Sequence, residues 1–252
     1  MLKYLIFFIG ILSPSLIESI PHYYVTSADT EHFHLLLKLI QSILTHDPHA
    51  ECILICDIGF TKSELSHLRT IPRVAIAWLP KRNPEIYTLH QCVHMGSRTH
   101  RVIRGSFSWK PVALKIALDI FPYVMYIDAD FIVTHSMETI FNTIMLNGYY
   151  VEDTGHDIKS FLTTPVIQKI VNQLTPEQQA IVYAHTTHML SAGYQGISRK
   201  YFESYVLPVY EYTTSIDLFK DDGSAERGFG AGRHDQTLFS IQAILAGIKV
   251  TK

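Results

Sequence analysis

Three features of the sequence predict an α/β fold, a mostly parallel sheet flanked by helices. Continuous apolar runs of strand length alternate with segments of helical period through the first half of the chain. The runs at 52–56 and 124–127 each end at a carboxylate, Asp57 and Asp128, as expected of strands covered on both faces. With 252 residues, 47% hydrophobic and 17% charged, the chain has apolar material for one large core and lacks the composition of a disordered one. A single domain over 21–252 follows, regular in its N-terminal half and more irregular in its C-terminal half.

The elements follow in order. Residues 22–26, aromatic and β-branched, predict a first strand ending at the polar run 27–30. Phe33, Leu36, Leu37, Ile40, Ile43 and Leu44 recur at helical spacing, with Asp29 or Thr30 to cap the helix and Asp47-Pro48 to stop it. The apolar run 52–56 is the second strand, 62–69 a short helix, 74–79 a third strand and 80–84 a loop. Residues 85–105 fit no one pattern. Pro111 suits the first turn of a helix reaching Phe121, and Pro122 ends it before the strand at 124–127. Helices are then expected near 137–145 and, with Thr175 as cap, near 176–183; strands are expected near 149–152 and 189–197, the latter interrupted by Gly193. A helix over 200–212 kinked at Pro208, a glycine-rich loop over 223–232 and a helix over 235–245 complete the chain.

Lys plus Arg total 21 against 23 Asp plus Glu, a net charge of −2, which leaves no basic excess for a nucleic-acid backbone. Cys52, Cys56 and Cys92 are too few, and odd in number, for a disulfide framework and read as buried reduced thiols. None of the 14 histidines has zincin spacing. Residues 1–20 carry Lys3, an apolar stretch over 4–12 and then Ser13-Pro14-Ser15, the pattern of a secretory signal peptide or, by recruiting 16–20, a signal-anchor.

Ligands of open α/β sheets bind at the carboxyl ends of the strands, where Asp128 and Asp130 stand directly after a buried-looking strand. On extended backbone the two carboxylates would point to one side, as hard donors for Mg2+ or Mn2+ that also holds substrate phosphates. The apolar Phe131-Ile132-Val133 that follows argues against a solvated turn.

Here the sequence resembles the nucleotide-sugar-dependent glycosyltransferases of the GT-A fold, over nearly the whole chain after residue 20. The matching pieces, in order, are Tyr24-Val25-Thr26-Ser27-Ala28, Ser108-Trp109-Lys110-Pro111, Tyr126-Ile127-Asp128-Ala129-Asp130, Ser191-Ala192-Gly193-Tyr194-Gln195-Gly196 and His234-Asp235-Gln236. The resemblance implies a metal-dependent enzyme that transfers a sugar from a nucleoside-diphosphate donor, UDP favoured, to a hydroxyl on a glycan, protein or lipid. It implies Asp128 and Asp130 as metal ligands, Asp130 also acting in catalysis, and Thr26, Ser27 and Ala28 lining the base.

By the same resemblance Lys110 reaches the diphosphate or the sugar, unless it is a solvated lysine, and Trp109 stacks on a ring, unless it is a core residue. Gly193 lets the backbone approach the donor sugar or marks a strand bulge. Asp235, after the glycine-rich loop and facing the site, is a general base or a hydrogen-bond partner of the donor, or else a helix N-cap, with Gln236 beside the acceptor. Glu152 and Asp153 are weaker candidates.

No histidine follows His234, so the third metal ligand that many such enzymes take from a C-terminal segment is either water or phosphate, or belongs to a part missing after Lys252. A non-catalytic carbohydrate- or partner-binding domain is the alternative. A sugar nucleotidyltransferase ranks behind it, since residues 26–32 hold neither glycine nor lysine. With a signal sequence, the resemblance implies the lumen of the endoplasmic reticulum or Golgi or a membrane-associated state, and the cytoplasm if 1–20 is not a signal.

Overall fold

The computed structural model describes residues 20–79, 84–93, 100–229 and 233–250. The expected signal or anchor over 1–20 lies outside these apart from Ile20, as do Gly230 and Gly232. Among the described residues no helix is long and apolar enough to cross a membrane.

Six strands form one sheet: β1 (His22–Ala28), β2 (Ala50–Asp57), β3 (Val74–Trp78), β6 (Tyr123–Ile127), β7 (Tyr149–Asp157) and β8 (His188–Ser198), in the order β3-β2-β1-β6-β8-β7. The β1–β2, β1–β6 and β2–β3 pairs are parallel, and β8 runs antiparallel to both neighbours. Five strands therefore share one direction, as the alternation of apolar runs and helices requires. The ambiguous stretch 85–105 contains a separate antiparallel hairpin, β4 (Leu89–Val93) with β5 (His100–Arg104).

The helices are α1 (Phe33–His46), α2 (Lys62–Leu68), α3 (Trp109–Ile120), α4 (Glu138–Asn147), α5 (Thr164–Lys169), α6 (Pro176–Tyr183), α7 (Leu207–Tyr212) and α8 (His234–Leu245). Side chains alternate across each strand and so feed two cores. Tyr24, Met125 and Ile127 pack with Leu36, Leu39, Ile43, Phe141 and Ile144 of α1 and α4. Val25, Val124 and Tyr126 pack with Val112, Leu114, Val209, Leu238 and Phe239 of α3, α7 and α8.

Local signals explain several helix ends. Thr175 caps α6 in a capping box with Gln178, as expected, and Thr61 with Glu64 does the same for α2. The helix expected over 200–212 is instead a 3-10 turn (Arg199–Tyr201), a π turn (Phe202–Val206) and then α7, with Pro208 in its first turn where no N–H is needed. Strand β8 continues through Gly193, while its register against β7 shifts between Leu190 and Gln195. Cys56 is buried and free, its thiol pushed up to about 12 by burial; Cys52 is free and half-buried, and the side chain of Cys92 lies outside the described residues.

Candidate active site

The carboxyl ends of β1 and β6 open into a cleft that also takes in Asp29, Ile103 and Arg104. Ser27, Ala28, Trp109, Asp128 and Asp130, all singled out in the sequence, line it. The chain turns directly after β6, with Phe131 N–H bonded to the Asp128 carbonyl at 3.1 Å, so the Asp-x-Asp is not extended. Phe131 and Ile132 are accordingly 40% and 60% exposed, against the buried continuation expected of them. Both carboxylates nevertheless face the cleft.

Period-2 alternation explains what holds Asp128. It projects to the same side as Tyr126, whose hydroxyl donates to Oδ1 at 2.9 Å, and toward α3, where Lys110 Nζ donates to Oδ2 at 2.9 Å. Behind it β8 runs close, the Asp128 N–H bonding the Gly193 carbonyl at 2.8 Å. A Cβ on Gly193 would collide with the Asp128 carboxylate, so this glycine makes room for a protein side chain, and it lies where the register of β8 against β7 shifts, as a bulge there would require.

Lys110 is no solvated lysine. Its side chain is 5% exposed, its ammonium lies 3.5 Å from Asp235 Oδ2 as well, and the rings of Phe107, Tyr126 and Trp109 have their centres 5.0, 5.6 and 5.8 Å away. Burial alone would discharge it, but the charges of Asp128 and Asp235 hold its pKa above the usual lysine value. Asp235 lies in the first turn of α8, buried against Lys110; it neither lines the cleft nor serves as N-cap, a position Arg233 occupies. Burial, reinforced by Asp128, pushes its pKa to about 6 against the pull of Lys110.

Trp109 is a largely buried residue with one side on the cleft, its Nε1–H donating to the Arg104 carbonyl at 3.2 Å. Thr26 is buried one step below the cleft, and Gln236 reaches Thr154 Oγ1 at 3.5 Å on β7. Glu152 accepts from Tyr150 at 2.6 Å and Asp153 pairs with His188 at 2.9 Å, both outside the cleft lining. The sequence reading missed a strut across the cleft mouth: Arg104 donates to Asp29 Oδ2 at 3.2 Å and to the Tyr87 carbonyl at 2.7 Å. Burial would raise the Asp29 carboxyl, but hydrogen bonds from His32 and Arg104 overcome this and hold it at about 2.

Backbone strain concentrates here. Among the described residues four non-glycines have positive φ, and three of them, Ser106, Phe107 and His234, adjoin Lys110 or Asp235, with the Phe107 and His234 rings 5.3 Å apart.

The donor chemistry fits a divalent cation. Asp130 is exposed, and each Asp128 oxygen keeps a lone pair beyond its one hydrogen bond. Among the described residues no group of three or more His, Cys, Asp or Glu could hold a metal ion, so the protein would leave most of the coordination shell to ligands from outside the chain, as is usual for Mg2+.

No protein-family model matches the chain, and no curated protein sequence matches it. Solved structures do. The mannosyltransferase Ktr4p of S. cerevisiae matches 89% of this chain with a TM-score of 0.52 at 12% identity, and the chain spans 65% of that protein's length. Mouse xyloside xylosyltransferase 1 in its apo form matches 92% of the chain, which spans 86% of that protein, with a TM-score of 0.52 at 10% identity. The fold is that of the GT-A glycosyltransferases. Core-mannan synthase A of Aspergillus fumigatus, solved in a Mn/GDP form, shares this GT-A fold over 90% of the chain and 70% of its own length, with a TM-score of 0.50 at 13% identity.

Proposed function

We propose that this chain is a metal-dependent glycosyltransferase that moves a sugar from a nucleoside diphosphate, of UDP or GDP type, to a hydroxyl on a glycan, protein or lipid. The observation that carries the reading is the pair Asp128 and Asp130 at the end of β6, opening into one cleft with the end of β1. Ser27 and Ala28, with Ile58 and Ile103, supply a wall for the base, and of Asp128 and Asp130 the latter is the more exposed and the one placed for contact with substrate. Asp128 and Asp130 would hold the cation, which when bound offsets diphosphate charge and makes the nucleoside diphosphate a better leaving group.

In the transfer the bond from the anomeric carbon to the phosphate oxygen breaks and a bond to the acceptor oxygen forms, its proton passing to a base. Lys110 and Tyr126 fix the Asp128 carboxylate for this work. Asp235, sealed under the site, acts through Lys110 and is a positioning residue rather than the general base.

Donor hydrolysis by the purified chain, with UDP- and GDP-sugars and Mn2+, tests the reading. Nucleoside diphosphate release from one donor, lost in Asp130→Asn, supports it. Tight nucleotide binding without release from any donor favours the non-catalytic binding domain.

A further inference from the structure

Lys110 has two carboxylate partners that differ in kind. Asp128 Oδ2 accepts a hydrogen bond at 2.9 Å, and its side chain is 27% exposed to the cleft. Asp235 Oδ2 stands 3.5 Å from the same ammonium with its side chain 4% exposed, and this buried oxygen accepts no hydrogen bond among the described residues. An acceptor so placed is ready to take the ammonium. The rings of Phe107, Tyr126 and Trp109 surround Nζ at 5.0 to 5.8 Å and favour the cation between the two carboxylates as well as on either one.

Charge makes the two positions unequal once a ligand arrives. With the ammonium on Asp128, that carboxylate is already neutralised, and a divalent cation brought to its free lone pair would face a positive group about one hydrogen bond away. Moving the ammonium by a rotation of the lysine side chain toward Asp235 leaves Asp128 its full charge and removes that repulsion. The buried cluster stays balanced, because Asp235 supplies the anion that Asp128 gives up.

We propose that Lys110 is a transferable counter-ion, resting on Asp128 in the free protein and passing to Asp235 when Asp128 engages a divalent cation that enters with a nucleoside diphosphate. The inference rests on the proposed donor site and assigns Asp235 a task there: it is the alternative partner that releases Asp128. Without it, Lys110 has nowhere else to go and competes with the cation.

The test is Mn2+ binding by the full chain, followed by the electron paramagnetic resonance of free Mn2+ with UDP or GDP present, in the wild type, Asp235→Asn, Asp235→Glu and Asp130→Asn. The inference expects Asp235→Asn to melt cooperatively and bind Mn2+ about 10- to 100-fold more weakly, the range for lost partners of metal ligands, and Asp235→Glu to recover most of the affinity. Asp235→Asn binding Mn2+ as the wild type does, while Asp130→Asn loses it, overturns the transfer and leaves the donor site standing. Wild type that binds no Mn2+ with either nucleotide overturns both.

Should Asp235→Asn fail to fold, lysine-labelled wild type decides. The Lys110 ammonium resonance, assigned with Lys110→Arg, must move when Mg2+ joins saturating nucleotide. An unmoved resonance overturns the transfer.

Discussion

The Gly193 carbonyl accepts the Asp128 N–H at 2.8 Å, and the same glycine leaves the space that the Asp128 carboxylate fills. One residue of β8 thus sets both the backbone and the side chain of the first carboxylate of the site. Gly193→Ala should therefore displace Asp128, Lys110 or both, destabilising by about 1 to 3 kcal/mol as overpacking does. It should also weaken binding of nucleotide with Mn2+. Chemical denaturation together with a nucleotide titration checks this; wild-type stability and affinity would show that the carboxylate moves aside freely.

The ammonium of Lys110 compensates two carboxylates, so its loss costs more than one ion pair. Lys110→Met leaves Asp235 buried without its cation, and removing one partner of a buried pair costs about 3 to 5 kcal/mol. In a chain of this size each kcal/mol lowers Tm by about 2 to 4 °C. Differential scanning calorimetry reads the fall directly, and a melt within a degree of wild type would contradict the buried pairing.

Stability should carry the mark of Asp235 in one pH window. Its folded pKa of about 6 exceeds its unfolded value of 3.8, so between these the folded state binds more protons and stability falls as pH rises. Above about 6 both states are ionised and the slope vanishes. Asp29, held at about 2, has the opposite sign: its contribution is present above 3.8 and is lost as pH falls toward 2. Asp235→Asn cannot titrate, so against wild type it should gain about 2 to 3 kcal/mol from pH 4 to pH 6. Parallel stability curves for the two proteins would contradict the assigned shift.

The frame was legible because its signals are local. The run Tyr126-Ile127 reads as a buried strand ending at Asp128, and Thr175 reads as a cap; both stand in the structure as expected. What escaped is set by long-range packing. Arg104 and Asp29 are 75 residues apart, and neither carries a local sign of the other. Lys110 looks like any lysine at a helix start until α8 brings Asp235 beneath it. Phe131 and Ile132 mislead because their apolarity suggests burial, whereas the turn at Asp128 carries them outward.

A thermal-shift titration reads whether Asp128 and Asp130 hold a nucleoside diphosphate through a divalent cation. The chain is melted with UDP or GDP, each with and without Mn2+, and again as Asp130→Asn, whose exposed position leaves the fold intact. Ligand at a hundredfold excess over Kd stabilises by about 2.7 kcal/mol, a shift of several degrees. That shift is expected with one nucleotide, only when Mn2+ is present and only with Asp130 in place. A cooperative melt that no nucleotide moves, with or without Mn2+, would contradict it.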